Sequence, residues 1–443
     1  MNENGRNVDV KEKDLFKALE YGFFYTPIGE NVNMVFHSLE GEPFVMNDEE
    51  IESLKKHEID IVNVEYNYSV NEKARKRIEE YIANYQGPYV LDFIISETCN
   101  LGCHMCFHRN TLSNCQTRNS CSELATNLAK KWLHYYINMA RRLNFDKYSF
   151  HFGAAEPFVY KAQLWDIIEL INSSAYDKPK EIFINTNLTL INDDDIKKMK
   201  KYCVRVAVGL DGIGSVNDKI RHYLNSEKGT YDIIIGNIKK LIGEGIQVGV
   251  NLTLTDRNFE DIDIHKFIDV MDSVGVRHLL IDSDMVSHIS YNADQIVEKY
   301  LAFLEYGEHK GIEINGSWRT PYDMIMTENT DIPKSFCASQ LGKNFALTPS
   351  GGISFCTYSG RIVAKDNNIE SPDEIMKAYV TEMKEFLKKI FLERNEASCK
   401  GCPLEGFCLG GCQLSHETYG KNDFMCDIYL KSTKALIDYY TEL

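Results

Sequence analysis

The sequence predicts an α/β protein built round an open, partial barrel, with a small strand-and-helix module ahead of it and a cysteine-organised domain behind. Three observations carry this. Between residues 89 and 310, strand-like and helix-like runs alternate six times. Ahead of them, three short strand-like runs lead into a charged helical stretch. The chain has 443 residues and 13 cysteines, and most of those cysteines fall in two zones about 200 residues apart.

In the first module, FFYTPI, NMVFHSL and PFVMN between Phe23 and Asn47 read as strands, with Gly29-Glu30 and Gly41-Glu42 as their turns. Asp48-Glu-Glu then opens a helix, IESLKKH, with acids in the first turn where the helix dipole favours them. The stretch NEKARKRIEEYIANY, followed by Gly87-Pro88, reads as a helical linker, so residues 1–88 form a module of their own.

The central region, 89–310, offers strands at 89–96, 148–152, 181–186, 204–210, 246–254 and 277–282. Helices are expected over about 122–143, 160–173, 192–201, 230–243, 259–273 and 292–309. Such alternation implies parallel pairing through right-handed crossovers. Six units fall short of a closed eight-fold barrel, hence an open one. Residues 311–443 are rich in Cys and Gly with little periodicity, as expected where metal replaces a large apolar core.

Composition narrows the function. A net charge of −16 disfavours phosphate backbones and anionic lipid as partners, so neither nucleic acid nor membrane is expected. The polar start of the chain has no signal core, and no run reaches the 18 or so apolar residues of a membrane span. The expectation is a cytoplasmic protein, where 13 cysteines serve metal rather than disulfides.

The first strand runs into Cys99-Asn-Leu-Gly-Cys103-His-Met-Cys106. Three thiolates on one loop can hold three irons of a cubane cluster and leave the fourth open to a small molecule. At the C-terminal mouth of a parallel barrel, that loop sits where active sites form. The alternative is a structural zinc site with His104 or His108 as fourth ligand, although zinc sites usually show paired C-x2-C elements.

This motif resembles that of the radical S-adenosylmethionine (SAM) enzymes, which place it after the first strand of a partial (β/α)6 TIM-like barrel. Gly153-Ala154-Ala155-Glu156-Pro157 stands where the family has Gly-Gly-Glu-Pro, with alanine for glycine. Asn185-Thr-Asn187-Leu188 stands where it has Thr-Asn-Gly, and Gly209-Leu-Asp211-Gly212 where it has Ser-Leu-Asp-Gly. Asn217-Asp218 and Arg221 match a His-Asp pair and its arginine. By this resemblance Met105, Ala155, Glu156, Asn187, Gly209 and Arg221 contact SAM. Gly209 lacks the family serine's hydroxyl, while Arg221 keeps a fork suited to a carboxylate.

The C-terminal cysteines run Cys337, Gly351-x4-Cys356, Cys399-x2-Cys402-x5-Cys408-x3-Cys412 and Cys426. This resembles the iron–sulfur SPASM extension of radical SAM peptide maturases. The resemblance implies that Cys337, Cys356 and Cys412 hold auxiliary cluster I, and Cys399, Cys402, Cys408 and Cys426 hold auxiliary cluster II. It thus implies three [4Fe–4S] clusters in all, together with an electron donor such as flavodoxin or ferredoxin. Relatives supply a fourth cysteine to cluster I where Lys343 stands here, which leaves either an open iron or a distant thiol such as Cys115 or Cys121. Cys203 reads as a buried core thiol.

The N-terminal module resembles the winged-helix-like element that such maturases use to bind a precursor's leader, an exposed strand edge accepting one more strand. The implied activity is reductive cleavage of SAM to a 5′-deoxyadenosyl radical that takes hydrogen from a ribosomal precursor peptide. The product is then an intramolecular carbon–sulfur, carbon–carbon or carbon–oxygen crosslink. An alternative is a sulfatase-maturating dehydrogenase that forms formylglycine. Those enzymes carry an aspartate base directly after the cysteine corresponding to Cys356, where this chain has Thr357. A remote alternative is a non-catalytic iron–sulfur peptide-binding protein. The catalytic base is not legible.

Overall fold

A computed structural model of the chain describes residues 15–57, 64–106, 123–224, 226, 228–284, 289–328, 332–358, 361–366, 371–393, 399–413, 415–416 and 423–442. Four antiparallel strands come first: β1 (Lys17–Ala18), β2 (Phe23–Gly29), β3 (Val32–His37) and β4 (Gly41–Met46), paired in that order. Three of them answer the sequence expectation, and β1 is additional. Asn47 begins the next helix, Asp48–Lys55, through a capping box with Glu50.

A ten-stranded sheet dominates the rest. It holds β5 (Val90–Phe93), β6 (Tyr148–Phe152), β7 (Lys180–Thr186), β8 (Val204–Gly209), β9 (Val248–Leu254) and β10 (His278–Ser283), followed by β11 (Glu313–Asn315), β12 (Asn344–Leu347), β13 (Gly352–Ser354) and β14 (Ala364–Lys365). The order is β11-β10-β9-β8-β7-β6-β5-β12-β13-β14, parallel from β11 to β12 and antiparallel beyond. Helices Thr126–Arg142, Lys161–Ser173, Asp193–Lys201, Tyr231–Gly243, Ile264–Val274 and Ala293–His309 follow the first six of these strands. All six strand–helix units therefore form where the alternation placed them.

The two faces of this sheet differ chemically. Phe93, Phe152, Ile184 and Val206 lie side by side in register and are buried in the main core. The neighbouring row is Asp92, His151, Phe183 and Arg205, and further along the same face come Asn185, Asn251 and Thr253. A parallel sheet covered by helices on both faces reads as continuously apolar. The alternation in VGVNLTL marks a sheet with one face turned to a polar interior.

The C-terminal region departs from expectation. The parallel sheet does not stop at residue 310, because β11 extends one edge and β12 pairs in parallel with β5 at the other. Two 20-residue helices, Pro372–Phe391 and Asp423–Glu442, also lie where little periodicity was read. The expected linker is the helix Val64–Asn84, and it is packed rather than loose. The Tyr81 hydroxyl donates to the Leu341 carbonyl at 2.7 Å, Tyr85 donates to Gly342 at 2.6 Å, and Arg77 pairs with the buried Glu40 at 2.9 Å. The N-terminal sheet in turn docks on the cysteine-rich end: the Gly406 amide donates to the Ser38 carbonyl at 2.9 Å. A Cβ at Gly406 would lie 2.7 Å from Leu39 Cα, so only glycine permits this approach.

Candidate active site

The loops that leave the C-terminal ends of β5 to β9 converge on a cavity of about 440 Å³. Cys99, Cys103 and Cys106 line one side. Their loop is tied down by bonds from Gly102 N to His222 O at 2.9 Å and from Leu224 N to Asn100 O at 3.0 Å. Burial pushes the Cys99 thiol up to about 12 and the Cys103 thiol up to about 11. Bare thiols here are protonated, and a bound cation is what favours the thiolate form. Among the described residues, no three Cys, His, Asp or Glu side chains close on a single ion. The three soft donors are instead set round a cavity, an arrangement that could hold a multi-iron group with one side facing the open space. His104 lines a neighbouring cavity of about 330 Å³ and packs beside His222, while His108 lies outside the described residues.

All six residues expected to contact SAM line the same cavity as the thiols: Met105, Ala155, Glu156, Asn187, Gly209 and Arg221. Their local chemistry differs from residue to residue. Glu156 is buried, and its carboxylate accepts from Phe158 N at 3.0 Å, Thr186 Oγ1 at 2.8 Å and Asn187 N at 2.7 Å. It thereby clamps the loop after β6 to the loop after β7. Burial raises its carboxyl to about 7 against the pull of those bonds. The Asn187 amide is committed to the thiol loop, donating to Asn100 Oδ1 at 2.9 Å and lying 3.8 Å from Cys99 Sγ.

The departures from glycine and serine have structural answers. Ala154 has φ +76° and Leu188 φ +57°, so both non-glycine residues keep the left-handed backbone that glycine would adopt freely. Leu188 is fully buried, and its carbonyl is capped by Asn237 at 2.8 Å, which offsets the strain. At Gly209 a Cβ would lie 2.4 Å from Arg221 Cζ. The guanidinium fills the place a serine side chain would take, held by a 2.6 Å bond from Nε to the fully buried Asp211. Asp218 instead caps the next helix, accepting from Thr230 N and Tyr231 N at 2.7 and 2.8 Å.

Asn251, Thr253 and Tyr358 also line the cavity without having been singled out, as does Asn185, which the sequence offers only as a member of a motif. Asn251 and Thr253 sit on β9, whose apolar–polar alternation was the available sign. Tyr358 arrives from the cysteine-rich region, and nothing local foretells that.

The C-terminal cysteines form two groups. Cys399, Cys402, Cys408 and Cys426 line one small cavity of about 70 Å³. Cys337, Cys356 and Cys412 lie near enough for a charge on one to bear on the others, and the Cys337 turn is joined to the Cys412 loop by a 2.8 Å bond from Gln340 Nε2 to Gly411 O. The structure thus brings together the residues of each expected ligand set, and these thiols could hold such clusters. Cys115 and Cys121 lie outside the described residues. Cys203 is not the buried thiol expected: it is exposed, with φ +53°, just past the helix Asp193–Lys201. The chain reverses there through a left-handed residue, and the side chain is turned outward.

Comparison with known proteins agrees with this geometry. Residues 93–270 match the radical SAM superfamily. The radical SAM cyclopropyl synthase TigE of Paramaledivibacter caminithermalis is 23% identical over 389 residues, 84% of this chain and 78% of that protein. A cysteine-type anaerobic sulfatase-maturating enzyme of Clostridium novyi is 24% identical over 77% of this chain and 92% of its own length. In fold, the chain resembles Streptococcus suis SuiB, solved with its precursor peptide SuiA, at a TM-score of 0.55 and 16% identity, covering 92% of this chain and 99% of that one.

Proposed function

From a chain that carries a radical SAM domain and resembles SPASM-type maturases, we propose a peptide maturase that crosslinks a ribosomal precursor within its own chain. The observation that supports this best is the single cavity shared by three thiols and the six positions expected to contact SAM, drawn from four successive strand ends. SAM bound to a [4Fe–4S] cluster there supplies a carbon-centred radical able to take hydrogen from an unactivated carbon. In this reading Cys99, Cys103 and Cys106 hold the cluster, the Arg221 guanidinium meets the SAM carboxylate, Glu156 meets its ammonium, and Met105 borders the adenine. Ala155, Asn187 and Gly209 shape the wall. The seven C-terminal cysteines would hold two auxiliary clusters, which would supply an electron acceptor. Resemblance to a cyclopropyl synthase puts a carbon–carbon bond among the products to be tested.

The sulfatase-maturating alternative draws support from the C. novyi enzyme, but Thr357 stands where that class carries its aspartate base. The test is anaerobic incubation with SAM, dithionite and synthetic peptides from the short open frames flanking the gene. We expect 5′-deoxyadenosine and a peptide lighter by two hydrogens. Replacing Cys99, Cys103 and Cys106 by alanine should abolish both while leaving about eight irons, four for each auxiliary cluster. Undiminished 5′-deoxyadenosine in that variant would end this reading.

A further inference from the structure

Among the described residues round the main cavity, all but one come from residues 97–253. The exception is Tyr358, two residues beyond Cys356. It is 41% exposed, and its hydroxyl oxygen accepts a 3.0 Å hydrogen bond from Asn185 Nδ2 at the end of β7. Because Asn185 uses an acceptor position on that oxygen, the phenol O–H remains available to donate. The ring brings the cysteine-rich region to the wall of a cavity that Cys99, Cys103 and Cys106 also line.

We propose that Tyr358 is the substrate-positioning residue of the cavity. It donates its O–H to a backbone carbonyl of the bound peptide and lays its ring against the neighbouring side chain, so that one C–H faces the thiol-lined space. Radical hydrogen abstraction selects by proximity and orientation, so a group that fixes the peptide decides which carbon reacts. Asn185 acts through Tyr358 by holding the phenol in place. The inference rests on the peptide-maturase reading and deepens it.

The test compares wild type, Tyr358→Phe, Asn185→Ala and the double variant, using the same synthetic flanking-frame peptides, SAM and dithionite. The quantity read is 5′-deoxyadenosine formed per peptide crosslinked. Loss of one hydrogen bond should raise this ratio by roughly two- to tenfold in Tyr358→Phe. Asn185→Ala should move it the same way, and the double variant should fall short of the product of the two. A fold defect would lower both quantities together and leave the ratio at its wild-type value. That outcome, in a wild type that does crosslink, overturns the role of Tyr358 alone. A wild type that forms 5′-deoxyadenosine but crosslinks none of the peptides overturns the maturase reading and this proposal with it.

Discussion

Single residues carry the departures from family pattern, and each has a measurable consequence. Gly209 and Arg221 work as a pair, because the space a Cβ needs is already filled by guanidinium. Gly209→Ser should eject that group and leave Asp211 as a buried carboxylate without its cation, a loss of roughly 3–5 kcal/mol. We expect a lower melting temperature and at least a tenfold weaker SAM affinity by calorimetry; wild-type affinity would separate Arg221 from SAM binding. Ala154→Gly should do the reverse, since it relieves a left-handed alanine. The net gain, after glycine's extra chain entropy, is roughly 0.5–1 kcal/mol in a denaturant titration.

Glu156 sets a pH dependence. Its carboxyl is raised from 4.5 to about 7 by burial, so folding alone favours the protonated form, and its ionisation costs stability as pH climbs through that range. In the proposed site SAM would bring an ammonium that needs the carboxylate. Affinity should therefore rise about tenfold between pH 6 and pH 8, following the ionised fraction, and stay flat in Glu156→Gln. None of these three effects was legible beforehand: the letters show glycine, alanine and glutamate, whereas the neighbour occupying the space, φ and the burial of the carboxyl emerge only from folding.

Whole elements were read well where the signal is local. The strand YSFHF was expected over 148–152 and forms over those residues, because alternating aromatic and polar residues specify both the strand and its two faces. The helix Val64–Asn84 has the sequence of a linker because its partners lie some 260 residues away: the carbonyls of Leu341 and Gly342, in the turn that follows Cys337. The N-terminal sheet shares this long-range character. Phe16, Phe24, Met34 and Phe36 belong to the main core, so deleting the module would strip that core as well as any peptide site. A surface change is the cleaner probe. The outer strand β4 is covered at Gly41, where Ile325 approaches, but Phe44 is exposed and Val45 is 65% exposed. An edge of this kind can accept another strand, and lysine blunts it. The double change Phe44→Lys, Val45→Lys should weaken binding of a leader-bearing precursor by an order of magnitude in fluorescence anisotropy and leave the leaderless core peptide unaffected. Equal affinity for the full precursor would remove the edge from the binding site.

At the scale of the molecule, alternation was enough to foresee an open parallel sheet and spacing to single out the first three thiols, whereas the division of the C-terminal cysteines into two groups came from the family resemblance. The point at which the barrel ends was not foreseeable, because β12 is short and surrounded by glycine and cysteine, yet its four residues complete the sheet against β5. A chain ended at residue 342 should be insoluble or should bind a hydrophobic dye strongly, even though it retains the whole 93–270 region. A soluble, cooperatively melting product would show that the sheet can stand without its eighth parallel strand.

That pairing also has a meaning in time. Val90–Phe93 leaves the ribosome about 250 residues before Asn344–Leu347 can reach it. At synthesis rates of about 5–20 residues per second, one edge of an apolar strand waits roughly 10–50 s for its neighbour. During that interval the loop bearing Cys99, Cys103 and Cys106 has already emerged, while most of the polypeptide that will shield it is still unmade. Assembly of this protein is thus a race between translation and premature edge pairing. Slower growth temperature or rare codons between residues 310 and 344 should cost soluble yield even though they alter no amino acid.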